Sequence, residues 1–291
     1  MHEIIEITPR SKHYSKILKE IADPPRLLYC RGNLNLLNTF CFGVVGSRML
    51  TSYGKEATQH IVQSLVREGF TIISGLALGI DSVAHKATLD NGGKTIAVLG
   101  TGINDESVYP NTNLNLAKQI LAKDGLIVSE YPPGEVGYKS NFPARNRIIS
   151  GLSKGVLVVE ADEKSGSLIT AKSAAEQNRD VFAIPGSIFS SKSRGANALI
   201  KSGAKLVAST QDILEEYSKN AEFELQPKND ISTKDPVEKK ILDILDEKES
   251  LGADEIIRES DEETSKVLAA LSMLEIKGKI KNLGNGQYRK T

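Results

Sequence analysis

From residue 40 to residue 215, short apolar runs alternate with helical stretches. The runs are Phe42–Val45, Thr71–Ile73, Thr95–Leu99, Leu126–Val128, Gly155–Val159, Val181–Ile184 and Lys205–Val207. Most are apolar throughout rather than at every second position. That pattern predicts strands covered on both faces, and so a parallel sheet between layers of helices. Tyr53–Glu68 and Leu114–Lys123 read as helices. Gly69 and Gly125 follow them, where a left-handed residue closes a helix. Repeated β-helix-β units predict a doubly wound α/β fold with a mostly parallel sheet.

The pattern changes after Tyr217. Residues 218–235 are polar, and Pro227 lies among them; they read as a linker. Residues 236–291 show three helical patterns, Val237–Leu245, Ala253–Glu259 and Glu262–Lys277. The strand pair Lys279–Leu283 and Gln287–Lys290 follows, joined by Gly284-Asn285-Gly286, which is strong hairpin chemistry. Three helices and a hairpin predict a small C-terminal winged-helix domain. Residues 1–39 read as a lead-in to the sheet, leaving 40–217 as the Rossmann-like domain.

Composition narrows the class. Two cysteines in 291 residues form no disulfide scaffold and fit a reducing compartment. The first residues hold no apolar signal segment, and no run is long enough to span a bilayer. A soluble, cytoplasmic protein is expected. Lys+Arg and Asp+Glu both total 37, so any nucleic-acid binding must use a local cationic cluster rather than a basic coat.

Three loops hold candidate chemistry. In residues 43–54 a strand ends at Gly46, Ser47 and Arg48 form a loop, and a helix begins near Ser52. Helix-start amides and a forked guanidinium suit a phosphate; a turn glycine, a Ser52 cap and a surface arginine explain the segment equally well. Residues 139–147 bring together Lys139, Phe142, Arg145, Asn146 and Arg147. Exposed aromatics stack on unpaired bases while cations hold the phosphates; the plainer reading makes Phe142 a core residue and the charges a solvated face. Third, Ser165-Gly166-Ser167 precedes the helix Leu168–Asn178, flanked by Lys164 and Lys172. It is a weak phosphate seat, with capping as the default. All three loops follow the C-terminal ends of predicted strands or their continuations, the edge where open α/β sheets bind ligands.

Enzyme signatures do not assemble. Asp81 and His85 invite acid–base chemistry, but Asp81 reads better as a helix N-cap, and no other histidine is placed to help. No cluster has metal-ligand spacing. Gly93-Lys94-Thr95 lacks the glycine of a Walker loop, since Thr88 stands in its place. No dinucleotide fingerprint or nucleophile elbow is found. No catalytic residues, metal or cofactor are expected.

An ordered series of segments resembles the DNA-processing protein A (DprA/Smf) family. It runs GSRMLTSYG, IISGLALGIDSVAH, TIAVLGTGIN with VYP and Asn113, IVSEYPPG, FPARNRIISGLSKGVLVVEA, SGSLITAKSAAEQNRDVFAIPG and GANALIKSGA, across roughly residues 24 to 208. The resemblance implies an extended Rossmann fold, single-stranded DNA as ligand, homodimers, and help in loading the RecA recombinase onto incoming strands during natural transformation. It carries over Gly46, Ser47 and Arg48 for phosphate. Lys139, Phe142, Arg145, Asn146 and Arg147 match the second DNA-contacting loop, with Ser167 and Asn197 as further contacts. Many relatives carry a helical domain ahead of the sheet for which this chain has too few residues, so contacts made through it do not transfer.

Charge divides along the chain. Residues 1–217 hold 24 Lys/Arg against 21 Asp/Glu, and residues 218–291 hold 13 against 16. The third winged-helix helix opens on Asp261-Glu262-Glu263, acids that would repel a duplex backbone. A protein-contact or regulatory role is expected there. Two other readings compete with DNA binding. A nucleotide hydrolase would use Glu176 but lacks its glycine-rich loop. A nucleotide-sensing winged-helix regulator is opposed by the acids. The DNA reading requires the edge loops to converge into one cationic groove, with Arg48 near Arg145 and Arg147.

Overall fold

The computed structural model describes residues 3–217, 235–246, 248, 250–284 and 286–290. They fall into two compact units, one within 1–227 and one within 228–291. The expected linker, apart from Asp235, lies outside the described residues, as does Asn285 of the hairpin turn.

The larger unit is built on nine strands: β1 (Ile5–Ile7), β2 (Leu28–Gly32), β3 (Cys41–Val45), β4 (Thr71–Ser74), β5 (Thr95–Leu99), β6 (Leu126–Ser129), β7 (Gly155–Val158), β8 (Asp180–Ala183) and β9 (Lys205–Leu206). They form one sheet in the order β1-β2-β6-β5-β4-β3-β7-β8-β9. From β6 to β9 all neighbours are parallel, whereas β1 and β2 add an antiparallel edge. The lead-in residues thus extend the sheet itself.

The continuous apolar runs follow from two-sided cover. Cys41 and Val45 of β3 pack with α1 (Lys16–Lys19), α5 (Asn141–Leu152) and α6 (Ser167–Glu176). Phe42 and Val44 face the other way, onto α2 (Ser52–Arg67), α3 (Ile80–Asp90) and α8 (Gln211–Tyr217). Farther along that face, α4 (Leu114–Ala122) covers Ala97, Leu99 and Ile127. α7 (Arg194–Lys201) connects β8 to β9. Alternate side chains go to opposite faces, and both faces are core.

The helix ends differ from the sequence reading in three places. Gly69 is left-handed at φ +84°, as expected, but after α4 that conformation falls on Asp124 at φ +59°. Gly125 is required instead by space, since a Cβ there would lie 2.7 Å from the Ile120 carbonyl oxygen. α2 is capped by Thr51, whose hydroxyl accepts from Gly54 N at 3.1 Å, and not by Ser52. α3 is preceded by Gly79 at φ +80°, with Asp81 inside the first turn rather than at the cap.

In the smaller unit, α9 (Pro236–Asp246), α10 (Ala253–Ser260) and α11 (Thr264–Ile276) accompany β10 (Leu251–Gly252), β11 (Ile280–Gly284) and β12 (Gln287–Lys290). The strands pair antiparallel in the order β10-β12-β11. Ile241, Leu245, Ile256, Val267, Leu271 and Leu274 form its core. Among the described residues of the chain, no helix is long and apolar enough to cross a membrane.

Candidate nucleic-acid interface

β3 is where the chain changes direction. The connection from β3 runs through β4 and β5 to β6 on one side, whereas β7, β8 and β9 lie on the other. Loops leaving β3 and β7 therefore diverge and open a crevice at their C-terminal ends, the usual ligand position in such sheets. A cleft of about 580 Å³ lies there, lined by Gly46–Met49, by Asp162 and Lys164–Ser167, and by Lys139, Phe142, Arg145 and Asn146.

The loop after β3 is clamped from both sides. A Cβ on Gly46 would come within 2.6 Å of Ile80 and 3.0 Å of the Glu160 carbonyl oxygen. Ser47 N donates to Glu160 O at 2.7 Å, and Ser47 O accepts from Ile80 N at 3.1 Å. Gly79 completes the junction, because any Cβ there would meet Ser47 O at 2.2 Å. The Ser47 amide is thus not free for phosphate, which corrects one expected contact.

A second correction concerns the start of α2, which is already occupied by a carboxylate of this chain. Glu160, 2% exposed, accepts from Thr51 N at 2.9 Å and from the Thr51 hydroxyl at 2.5 Å. The helix dipole favours an anion at that place, and Glu160 supplies it. Arg48 therefore stands alone as this loop's contribution. Its guanidinium is exposed and lies 5.7 Å from the centroid of the Phe142 ring.

Helix α5 separates the cations of the second loop. Arg145 and Asn146 line the cleft; Arg147 does not. Residues two apart on a helix point in different directions. Arg147 turns to Glu130, donating to both carboxylate oxygens at 2.8 Å, with Asp23 at 3.2 Å. Its Nε and Nη2 are engaged away from the cleft, which leaves it outside the set of cations that line it.

Arg145 is in the wall rather than on it. It is 4% exposed, and donates to Gly75 O at 2.7 Å and to Val98 O, the carbonyls at the ends of β4 and β5. A Cβ on Gly75 would lie within 2.5–2.6 Å of the guanidinium. Burial lowers its pKa to about 10, with the Asp81 carboxylate pulling up and Arg48 pulling down. It stays charged at neutral pH and contributes field, not a mobile clamp. Asn146 is also occupied: Oδ1 accepts from Arg145 Nε at 3.3 Å and Nδ2 donates to Gly166 O at 3.2 Å.

Phe142 is half-buried, its ring edge 3.0 Å from where a Cβ on Gly100 would sit. The more accessible ring is Tyr109, 57% exposed and 5.6 Å from Phe142 between centroids. In the third loop Ser165 and Ser167 hydroxyls lie 2.8 Å apart at the start of α6, which has no side-chain cap. Lys164 is exposed on the rim.

Two expected contacts lie elsewhere. Lys172 is on α6 outside the cleft, 3.8 Å from Glu176. Asn197 clasps Gly186, accepting from its N at 3.1 Å and donating to its O at 3.0 Å. Glu176, the hydrolase candidate, is nine residues along α6 from Ser167, about 13 Å away, and does not line the cleft.

Sequence reading missed Lys192 and Tyr109, both on the cleft. Lys192 follows the C-terminal end of β8, the same edge as the other loops, and that position was the available signal. In all, Arg48, Lys139, Arg145, Lys164 and Lys192 line the cleft with two carboxylates; Asp81 lies beside Arg145 and Asp162 pairs with Lys192 at 4.0 Å, which leaves an excess of positive charge. Among the described residues no cluster of His, Cys, Asp or Glu is placed to hold a metal.

His85 is buried beneath this site. Thr95 donates its hydroxyl to Ile72 O at 2.7 Å, so at 2.7 Å it accepts from His85 Nδ1–H. His85 Nε2 is buried without a partner. Burial, aided by Arg145, lowers its pKa from 6.5 to about 3. Above pH 6.5 both folded and unfolded chains hold a neutral ring. Below it only the unfolded chain takes the proton, so stability falls as pH drops from 6.5 toward 3. The unfolding free energies from denaturant titration at pH 7 and pH 5 should differ by about 2 kcal/mol more in the wild type than in His85→Gln. Equal pH dependence in the two would refute this.

Comparison with known proteins agrees with this architecture. Residues 6–218 match the model of the DNA recombination-mediator protein A family, and residues 226–286 match the DprA winged helix domain. The DNA processing protein DprA of Streptococcus pneumoniae is 52% identical over 200 residues, spanning 69% of this chain and 70% of the relative. The Bacillus subtilis DprA is 47% identical over 207 residues, spanning 71% and 69%. The X-ray structure of the pneumococcal protein superposes with a TM-score of 0.70 at 47% identity, covering 77% of this chain and 76% of that one. A structure of the Helicobacter pylori DNA processing protein A, described for its single-stranded DNA binding mode, gives 0.66 at 32% identity, covering 75% and 99%. With a doubly wound sheet and a cleft at its switch point, and with both domains matched in order, the chain belongs to the DNA recombination-mediator protein A (DprA/Smf) family.

Proposed function

We propose that this chain binds single-stranded DNA in the cleft at the β3–β7 switch point and does no chemistry on it. The observation that carries this reading is the joining of cations and aromatics in one crevice. The exposed Arg48, Lys139 and Lys164 line it with Tyr109, the half-buried Phe142, and Lys192, which pairs with Asp162 at 4.0 Å. Cations hold phosphates, and rings accept any unpaired base. A paired duplex cannot offer a base face to Tyr109. The Helicobacter relative's single-strand binding supports the same assignment. Within the phosphate set, Arg48, Lys139 and Lys164 act directly. Gly46, Ser47, Arg145 and Asn146 shape the wall, and the Ser165 and Ser167 hydroxyls, 2.8 Å apart, offer a further polar contact at the start of α6, whose first amides are already bonded to Ser165 and Gly166.

The family resemblance extends the reading to handing the strand to a RecA-type recombinase during natural transformation. Homodimerisation fits the open edge strand β9, where Leu206 is 46% exposed. A cytoplasmic setting fits two free, buried cysteines, their thiols pushed up to about 12 by burial. We place the winged helix at 236–291 and the loops that contact DNA within 40–217, in a domain whose sheet also takes in β1 and β2. At the start of α11, Glu262 and Glu263 lie 3.6 Å from Lys240 and Lys266, while Leu268 and Met273 farther along are 45% and 46% exposed. A helix that presents apolar side chains behind a pair of ion-paired acids suits a protein contact better than a phosphate backbone.

Salt-titrated fluorescence anisotropy tests the reading. Single-stranded oligonucleotides should bind at least about tenfold tighter than duplex. The slope of log K against log salt should be about −2 to −3, as expected for three or four neutralised phosphates. Duplex binding equal to or tighter than single-strand binding, or release of free base from a nucleotide, would overturn it.

A further inference from the structure

The most exposed large apolar side chains of the larger unit lie outside the cleft. Ile188 and Phe189 are 77% and 92% exposed, in the connection between β8 and α7. Folding does not bury them, yet their backbone is held. Phe189 N donates to Ser187 Oγ at 3.2 Å and Ser190 N to Ser187 O at 3.0 Å. The base of the turn is fastened by Asn197, whose amide takes both the N–H and the carbonyl of Gly186. Tyr53 adds a hydrogen bond from its hydroxyl to Pro185 O at 2.7 Å. A fastened turn that presents an aromatic ring to solvent is a prepared contact, with little ordering left to do on binding.

Location and charge select the occupant. β8 is parallel to β7, so this turn rises from the same edge as the cleft. Phe189 is three residues from Lys192, which lines the cleft, and so within about 11 Å of it along the backbone. Lys192 O accepts from Ala161 N at 2.8 Å, tying this segment to the loop that carries Lys164. Residues 186–201 contain Lys192, Arg194 and Lys201 and no carboxylate. An exposed ring in an acid-free cationic segment matches a polyanion with stacking bases; a protein partner for Ile188 and Phe189 is the competing outcome of the test.

We propose that the β8–α7 turn is a second contact for the same single strand, with Phe189 stacking on a base that has left the cleft past Lys192. This rests on the single-strand reading of the cleft and adds a direction to it: the strand runs from Arg48 toward β8. Asn197 then serves as a positioning residue for the turn rather than as a DNA contact.

The test is anisotropy on the full chain with oligothymidylates of about 4 and about 16 nucleotides, spanning the site sizes of single-strand-binding folds. Phe189→Ala should weaken the long strand by about 5- to 150-fold, the range for one lost stack, and leave the short one unchanged. Phe189→Trp should retain long-strand affinity and Phe189→Leu should not, since only a ring stacks. Asn197→Ala should weaken the long strand alone, and less. Wild-type affinity of Phe189→Ala for both lengths overturns the proposal. So does full affinity in Phe189→Leu, or a change in molecular mass by light scattering with DNA binding intact, which would assign the turn to a protein contact. If the wild-type chain bound neither length, the cleft reading itself would fall. If it bound both and Phe189→Ala made no difference, only this inference would.

Discussion

Replacing Arg48 with alanine should weaken single-strand binding by about 10- to 150-fold while leaving thermal stability unchanged. The side chain is exposed and has no ion pair among the described residues. Its neighbours are the Phe142 ring and the buried charge of Arg145. An unpaired guanidinium held beside another cation gains most when a phosphate arrives. A charge-assisted hydrogen bond contributes about 1.5–3 kcal/mol, which gives the quoted factor. Lysine at this position should recover only part of the loss, because a point charge neither forks onto two phosphate oxygens nor stacks on Phe142. Stability should hold because exposed side chains away from caps and networks change it little. Anisotropy and a melting curve on the same preparation read both quantities. Wild-type affinity in the purified, folded variant would remove Arg48 from the site.

Arg145→Ala should behave in the opposite way, losing the fold before the ligand. Its guanidinium is buried against Gly75 O and Val98 O, with Asp81 nearby and also buried. Asp81 is raised by burial and drawn back down by Arg145 and by the Gly75 amide, which it accepts at 3.0 Å. Removing the arginine strands two carbonyls and a carboxylate in a dry place. Breaking such a buried arrangement costs about 3–5 kcal/mol, a fall in Tm on the order of 10 °C for a unit of this size. Arg145→Lys should recover little, since one ammonium on a flexible stem cannot reproduce the planar pair of contacts. The discriminating measurement is affinity corrected for the folded fraction. A variant with unchanged Tm and lost binding would mean that Arg145 is a direct phosphate ligand after all.

These two arginines show where sequence reading stops. Both stand in cationic segments, and from the chain alone both look like phosphate ligands. One is exposed on a loop and the other is a structural post under two strands. Arg147, two residues further on, is engaged by Glu130 and Asp23. The three cations of residues 139–147 thus divide among the cleft rim, the wall and an ion pair behind it. Helical geometry could have separated Arg145 from Arg147 beforehand, because side chains two apart do not share a face. Nothing local could have identified their partners. Phe142 makes the same point: its aromatic character is visible in the chain, but its half-burial depends on Gly100 and Gly137 of other loops.

The parallel strands from β3 to β9, the two-sided cover of the sheet, the winged helix and the family were legible in the chain, because each depends on neighbours close in sequence: apolar runs, helix starts, turn residues and segments in series. The edge of the sheet that holds the cleft followed from the order of those strands. The antiparallel edge of β1 and β2 was not legible, since residues 1–39 read only as a lead-in. Tertiary structure decided which groups remain free to meet a ligand. Glu160 fills the start of α2 from 109 residues away, Gly75 and Val98 take Arg145 from 70 and 47 residues away, and Lys192 joins the cleft through a strand that lies beside β7 only in the folded sheet. A residue's type states what bonds it can make, but the partner that uses up those bonds is brought by the fold.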